Sequence, residues 1–297
     1  MFYGWWDWRF LGLIIFSTVL DFFIGKSLEK AKLEINRKLL LYTSITVNLG
    51  FLGIFKYCDF FVSNFIDAFS LFGVELSAGS LNFILPVGIS FYTFQTLSYS
   101  IDVYRRKLKH TDDFIAFSAF VCFFPQLVAG PIERATNLLP QFLKARKFNY
   151  EQAADGMRQI LWGFFKKVVI ADNLSEDANL VFLAAENGYL VTFFEAWQGS
   201  LSYTLQLYFD FSGYADMAIG SARLFGIKLP DNFNSPYKSK NIIDFWRRLH
   251  MTLSRFLRDY LYIPLGGSRK GSARRQVNLM VTMMLGGLWH GAGWNFI

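Results

Sequence analysis

The stretch Phe10–Gly25, "FLGLIIFSTVLDFFIG", decides the fold class. It is mostly apolar, with phenylalanine, isoleucine and leucine throughout. A helix crossing a bilayer needs roughly 20 such residues. The chain repeats the theme at Leu39–Phe55, Leu81–Ile101, Phe114–Ile132, Leu190–Phe209, Phe211–Leu229 and Asn278–Ile297. Several of these runs are short or contain glycine and proline. That predicts tilted, broken or re-entrant helices, whose irregular backbone survives at membrane depth only where protein or water surrounds it.

Composition agrees with an all-α membrane protein. The chain is 53% hydrophobic and only 18% charged, with 34 phenylalanines among 297 residues. Its mean hydropathy is +0.27. Soluble domains carry about a quarter charged residues, and a soluble core of this size has little room for so many rings. The net charge of +7 is unevenly placed. Basic residues cluster at Lys26–Lys38, Arg105–Lys109, Arg134–Lys147 and Lys228–Arg275, whereas Asp59–Glu75 is acidic. The positive-inside rule puts the basic clusters in the cytoplasm and the acidic stretch, read as a loop, outside. Phe114–Ile132 then has basic segments on both sides, and Pro125, Gly130 and Pro131 interrupt it. A segment that dips into the membrane and returns fits both facts.

The start, Met1-Phe2-Tyr3-Gly4-Trp5-Trp6, reads as an interfacial aromatic belt rather than a cleavable leader. Cys58 and Cys122 lie in different settings and predict no disulfide. The sequence closes inside an apolar run, so it is expected to be truncated.

The segment Asn241–Gly267 carries Ile242, Phe245, Trp246, Leu249, Leu253, Phe256, Leu257 and Tyr260 at helical spacing. Asp244 with Arg248, and Arg255 with Asp259, stand at i,i+4. Asn241 marks a start and Pro264-Leu-Gly-Gly a stop. This predicts one amphipathic helix with a basic face. It is either an interfacial helix on anionic lipid or a lid for an anionic cosubstrate. A lone histidine in it, His250, is more often a satisfied polar residue than a catalyst. His290, in "LGGLWHGAGWNF" (Leu285–Phe296), differs: an ionisable residue within a span is a functional candidate by default. Burial favours the neutral imidazole, the form a general base requires. Glycines 286, 287, 291 and 293 leave room for a substrate, or serve as packing notches for a neighbouring helix.

Asp210 and Asp216, in "QLYFDFSGYADMAIG" (Gln206–Gly220), either line a polar pathway or pair with nearby arginines. "GGSRKGS" (Gly266–Ser272) lacks the end of a P-loop and reads as a flexible basic turn. Asn173-Leu-Ser175 matches a glycosylation triplet, a weak pattern. There is no nucleophile elbow, and no metal cluster is evident.

Five motifs occur in one order: "LPVGISFYTFQTLSYSIDVYR" (85–105), "FFPQLVAGPIER" (123–134), "QLYFDFSGYADMAIG" (206–220), "FWRRLHMTLSRFLRDYLYIPLGG" (245–267) and "LGGLWHGAGWNF" (285–296). Together they resemble the membrane-bound O-acyltransferase (MBOAT) family, in its bacterial, AlgI-like alginate O-acetyltransferase branch. The resemblance implies an all-α polytopic fold: a ring of tilted and re-entrant helices around a central channel. Residues 1–297 then form one partial transmembrane domain, with 228–275 a basic cytoplasmic segment inside it. Family members usually extend further at both ends.

The family's Trp-His-Gly histidine matches His290, and a second histidine, in an Arg-Trp-His-type motif, matches His250, with Leu249 in place of tryptophan. These two are the candidate catalytic residues. Trp289, Asn295, Arg247, Arg248, Arg258, Asp210 and Ser212 are the candidate substrate-binding residues, and no metal is expected. The implied activity passes an acyl group, taken as acetyl, from a cytoplasmic thioester toward a hydroxyl acceptor, for extracytoplasmic polysaccharide O-acetylation. No cofactor is held; acetyl-CoA or an acyl-carrier thioester is the cosubstrate. The implied partners are membrane lipid, acyl-CoA or acyl carrier protein, and a periplasmic esterase-like acetyltransferase; no nucleic acid is expected. The implied location is the bacterial inner membrane, with many passes. The rival reading is a transporter or flippase for an anionic lipid or glycan intermediate. Such proteins often show paired halves, whereas the Trp-His-Gly motif occurs once here.

Overall fold

The structure, a computed structural model, describes residues 8–72, 86 and 88–296. The aromatic start at 1–6, the end of the acidic stretch, the first residues of the 81–101 run and Ile297 lie outside the described residues. The helices in chain order are α1 (Trp8–Lys30), α2 (Glu34–Ser70), α3 (Ile89–Tyr104), α4 (Phe114–Val121), α5 (Phe124–Leu127), α6 (Ala135–Leu143), α7 (Tyr150–Phe164), α8 (Asp172–Glu186), α9 (Phe193–Leu224), α10 (Ile242–Arg248), α11 (Met251–Leu257) and α12 (Gly271–His290). Widened π-helical turns follow α7 (Phe165–Ala171) and α11 (Arg258–Tyr262). No strand occurs among the described residues. Among the described residues two helices, α1 and α2, are long and apolar enough to cross a membrane. The chain divides into two compact units: Met1–Val128 with Ile132–Lys144 and Leu253–Ile297, and Ala129–Pro131 with Ala145–Thr252.

In the first unit α3 is buried on nearly every face, so it is the central helix. Its polar residues meet those of α1 and α2 in one buried cluster. Asp21 accepts hydrogen bonds from Ser44 (2.5 Å), Ser100 (2.6 Å) and Asn48 (2.7 Å). The Asn48 oxygen accepts from Ser17 (2.7 Å) and Thr96 (3.2 Å). A carboxylate this deep is tolerable only when its oxygens are paired; here α2 and α3 supply the donors. Arg37 acts at the helix ends, where carbonyls lack partners. It donates to the carbonyls of Leu28 on α1 and Tyr104 on α3. Its positive charge also suits the negative pole of each helix. Gly88 precedes α3 in the left-handed region (φ 76°), and a Cβ there would collide with the Leu127 carbonyl.

One expectation needs correction in this unit. The acidic stretch does not begin a loop: α2 runs on as helix to Ser70, because Asp59 and Asp67 sit among phenylalanines that keep the helical pattern. Phe114–Ile132 is interrupted, as its prolines and glycine suggested. Asp113 caps α4 through the Ala116 amide (2.9 Å), the helix stops at Val121, and Pro125 opens the short α5.

The second unit is built on α7, α8 and α9. The runs Leu190–Phe209 and Phe211–Leu229 are one helix, α9, opened by a Thr192/Glu195 capping box. Asp210 does not break it, because its carboxylate leaves the helix surface to meet Lys167 (2.8 Å). Helices α7 and α9 approach through paired glycines. A Cβ on Gly213 would lie 2.8 Å from the Gly163 carbonyl oxygen, and one on Gly156 would lie 2.7 Å from that of Gly220. Small residues on facing helices are how membrane helices bring backbones together. Many large side chains of α7 to α9 remain exposed, including Leu161, Trp162, Phe182 and Trp197. Helices with apolar outer faces suit lipid or further helices as neighbours.

The single amphipathic helix expected over 241–260 is in fact three pieces. Asn241 caps α10 through the Asp244 amide (2.8 Å), as expected. The helix then ends at Arg248, and His250 takes a left-handed conformation (φ 43°) before α11 begins. After Leu257 the backbone widens into the π turn. The expected Asp244–Arg248 pair forms (3.0 Å). Asp259, displaced by that turn, pairs with Arg134 (2.6 Å) and Arg258 (2.7 Å) instead of Arg255. Pro264 to Gly267 fall in turns, as do the following Ser268, Arg269 and Lys270.

Candidate active site

His290 is the last residue of α12 and is exposed in this chain, not sheltered as its apolar context suggested. Its Nδ1 lies 2.7 Å from the Gly286 carbonyl one turn back. A carbonyl only accepts, so Nδ1 carries the proton. In the neutral ring Nε2 then holds the lone pair. The imidazole also stands edge-on to Trp289, with ring centroids 4.9 Å apart.

Trp289 heads a stack of aromatic rings. It lies face to face with Phe94 (5.2 Å), which stacks on Phe256 (4.2 Å), which meets Tyr260 (4.6 Å). Offset stacking of this kind adds about 1 kcal/mol per pair beyond area burial. At the far end, Tyr260 donates to Asp102 (2.6 Å), with the Arg105 and Arg134 guanidinium groups 5.6 Å and 5.8 Å from its ring centroid. Burial, then the bond to Asp102, pushes the Tyr260 hydroxyl well above the usual phenol range. Burial would raise the Asp259 carboxyl too, but Arg258 and Arg134 together hold it below the usual carboxylate range.

The glycines around His290 are packing notches, not open room. Gly286 lies under Leu257 (3.1 Å from a Cβ), and Gly291 is filled by the Phe296 ring. Two residues of α2 close the turn: the Lys56 ammonium meets the Trp289 carbonyl, and the Tyr57 hydroxyl donates to the Leu288 carbonyl (2.6 Å). The sequence analysis missed both. A lysine inside an apolar helix is the signal that could have found Lys56.

His250 belongs to the second unit and is buried. Its Nδ1 lies 3.1 Å from Asn232 Oδ1, which also accepts from the Thr252 hydroxyl (2.8 Å) and the Thr252 amide (3.3 Å). An amide N–H can only donate, which fixes the Asn232 oxygen as the acceptor and gives Nδ1 of His250 the proton. The Asn232 carbonyl accepts from the Met251 amide (2.9 Å), so one residue holds the strained turn from both main chain and side chain. Phe211 packs edge-on to the ring (4.8 Å).

Asn232 and Ser212 also line a polar cavity of about 220 Å³ in this unit, beside the Lys166–Asp216 ion pair (2.6 Å). The Asn232 Nδ2 and Ser212 Oγ are buried there without protein partners. Of the candidate binding residues, Ser212 therefore reaches a cavity, and Trp289 contacts His290 directly. Asn295 and Arg247 are exposed. Arg248 and Arg258 are paired with Asp244 and Asp259. Asp210 pairs with Lys167, and Asp216 with Lys166 and Gln159 (3.0 Å), so their partners are not arginines. Among the described residues, no three His, Cys, Asp or Glu side chains gather as metal ligands do.

This arrangement can be set beside known proteins. The membrane-bound O-acyltransferase family model, MBOAT, matches residues 34–297. The chain is 45% identical to the probable alginate O-acetylase AlgI of Azotobacter vinelandii, over all of this chain and 58% of that protein. It is 42% identical to the peptidoglycan O-acetyltransferase of Helicobacter pylori, over all of this chain and 60% of that protein. It is 31% identical to the teichoic acid D-alanyltransferase of Bacillus subtilis, over 73% of this chain and 56% of that protein. The chain thus spans less than two thirds of the length of these curated relatives. Family match and relatives agree with the five motifs: the chain belongs to the membrane-bound O-acyltransferase family.

Proposed function

We propose that this chain carries the reaction centre of a bacterial inner-membrane O-acetyltransferase, with His290 as the general base. The observation that carries the reading is the bond from His290 Nδ1–H to the Gly286 carbonyl. It presents Nε2 as the basic nitrogen, which is what deprotonating a hydroxyl requires. A hydroxyl is too weak an acid to attack a thioester unaided. The acceptor O–H gives its proton to Nε2 as its oxygen bonds to the thioester carbonyl carbon. Collapse breaks the C–S bond, and the thiolate leaves with the proton from Nε2–H.

The thioester, as acetyl-CoA or on an acyl carrier protein, approaches from the cytoplasmic side, where the basic residues of 228–275, including Arg247 and Arg248, attract its anionic groups. His250 orients the donor, and a ring of tilted and re-entrant helices encloses the path. The acceptor belongs to the assembly of an extracytoplasmic polysaccharide, with a periplasmic esterase-like partner completing transfer; named relatives that acetylate alginate or peptidoglycan support this.

The test is His290→Ala in the full-length protein, assayed by thioester consumption in purified membranes. We expect membrane abundance to stay at the wild-type level, since the ring is exposed, and turnover to drop by a factor of about 10² to 10⁴. Wild-type turnover would overturn the reading. Movement of a glycan or lipid with no thioester consumed would favour a transporter.

A further inference from the structure

Lys56 stands deep in α2, between Phe55 and Tyr57. An ammonium in such a helix is costly unless it is partnered, and it is a functional candidate by default. Its partner is specific: the carbonyl of Trp289, with the indole ring centroid 5.7 Å from Nζ. The next residue, Tyr57, takes the carbonyl of Leu288 (2.6 Å).

These two carbonyls belong to the last turn of α12, where no following helical amide can reach them. The Gly287 carbonyl is taken by the Gly291 amide (3.3 Å). The two next in line toward His290 are thus held by another helix. A cation at this point also meets the negative pole of α12. Among the neighbours of this turn, α3 has no charged residue between Ile89 and Ile101, and Trp294–Phe296 has none. The turn after α11 carries Arg258 and Asp259, which pair with each other. On α2 itself, Asp59 follows Lys56 by one turn.

We propose that Lys56, with help from the Tyr57 hydroxyl, is a positioning residue for His290: it fixes the last turn of α12 and keeps a positive charge beside the reacting centre. This rests on the reading of His290 as the base. The clamp holds the peptide group immediately before the imidazole, so the ring's approach to the thioester is set from α2. The same charge favours the oxyanion that forms when the hydroxyl attacks.

The test compares Lys56→Met, Lys56→Arg, Tyr57→Phe and His290→Ala in the full-length protein. For Lys56→Met we expect kcat to fall about tenfold or more with the donor KM nearly unchanged, the pattern of a lost transition-state interaction. Lys56→Arg should recover most of it, because a guanidinium keeps both charge and donor. Tyr57→Phe should lose less, about two- to fivefold, since it removes one neutral hydrogen bond. A second readout needs no catalysis: the rate at which diethyl pyrocarbonate modifies His290, mapped by mass spectrometry. Lys56→Met should change that rate by about threefold or more, because the ring's setting is altered, while His110 reacts as before.

Wild-type kcat and wild-type modification in Lys56→Met would overturn the proposal, as would an arginine variant no better than methionine. Should the methionine variant fail to accumulate, the arginine and phenylalanine variants decide: both must retain measurable turnover, the arginine variant the more. An inactive His290→Ala beside an unaffected Lys56→Met sinks the role of Lys56 alone. An active His290→Ala sinks the reading of His290 itself, whereas the modification rate still reports on the clamp.

Discussion

The two candidate histidines reach the same protonation pattern by opposite routes. His290 closes a regular helix and bonds to its own carbonyl four residues back. His250 sits in a left-handed break, is buried, and bonds to a side chain eighteen positions away. Both present Nδ1 as the donor. In the first case the ring's own hydrogen bond is made within its helix, while Lys56 and Tyr57 hold the turn beneath it. In the second the ring, the break and the start of α11 all lean on Asn232. One ring makes a local bond and is exposed; the other makes a tertiary bond and is buried.

The contrast can be broken most directly at Asn232. Asn232→Ala should remove the acceptor that the His250 Nδ1, the Thr252 amide and the Thr252 hydroxyl share. Each buried group left unsatisfied costs about 1–3 kcal/mol. We expect a clearly lower melting temperature for the purified full-length protein, with His250 more open to chemical modification and His290 unchanged. An unchanged melting temperature would show that the turn holds without Asn232.

A smaller effect changes sign between the sites. At position 250 a positive φ penalises any residue with a Cβ, so His250→Gly should be more stable than His250→Ala by about 1 kcal/mol. At position 290 the backbone is helical, so His290→Ala should be more stable than His290→Gly by about 0.5–1 kcal/mol. Paired thermal denaturation of the four variants checks both signs. The same order at both positions would remove the backbone difference.

The smallest effect concerns pH. Asp259 has its carboxyl held low in the fold by Arg258 and Arg134. A carboxyl lowered on folding adds stability above its unfolded value of about 4, and that contribution fades as pH falls through the folded value. Asp259→Asn should therefore be less stable than wild type at neutral pH, with the gap closing only below about pH 4. A gap that is constant across the acid range would argue that the carboxylate charge is not what matters.

Much of the frame was legible. Apolar runs located α1 and the first half of α2, the Asn241 cap located the start of α10, and an apolar span containing one histidine singled out His290. What failed did so for identifiable reasons. The 241–260 periodicity could not show the break at His250, because Leu249 and Leu253 keep the i,i+4 spacing across it in the sequence. Asp210 read as a break between two runs, yet a lysine five residues before Asp172 answers both carboxylates without ending the helix. The glycines near His290 allowed either substrate room or packing notches, and only the contacts of Gly286 with Leu257 and of Gly291 with Phe296 decided for packing there.

By itself the sequence determined the membrane character and the helical class, because hydrophobic spacing is a property of the chain alone; it offered His290 as a candidate for standing in an apolar run, and His250 only through its likeness to a family motif. Only the tertiary structure decided which groups hold the chain at those histidines: Lys56 and Tyr57 on the carbonyls just before His290, Asn232 on His250 and the turn that follows it. Those partners lie far away in the chain and are ordinary where they stand. Their meaning comes from hydrogen bonds and charge, which act over a few ångströms of space whatever the distance along the sequence.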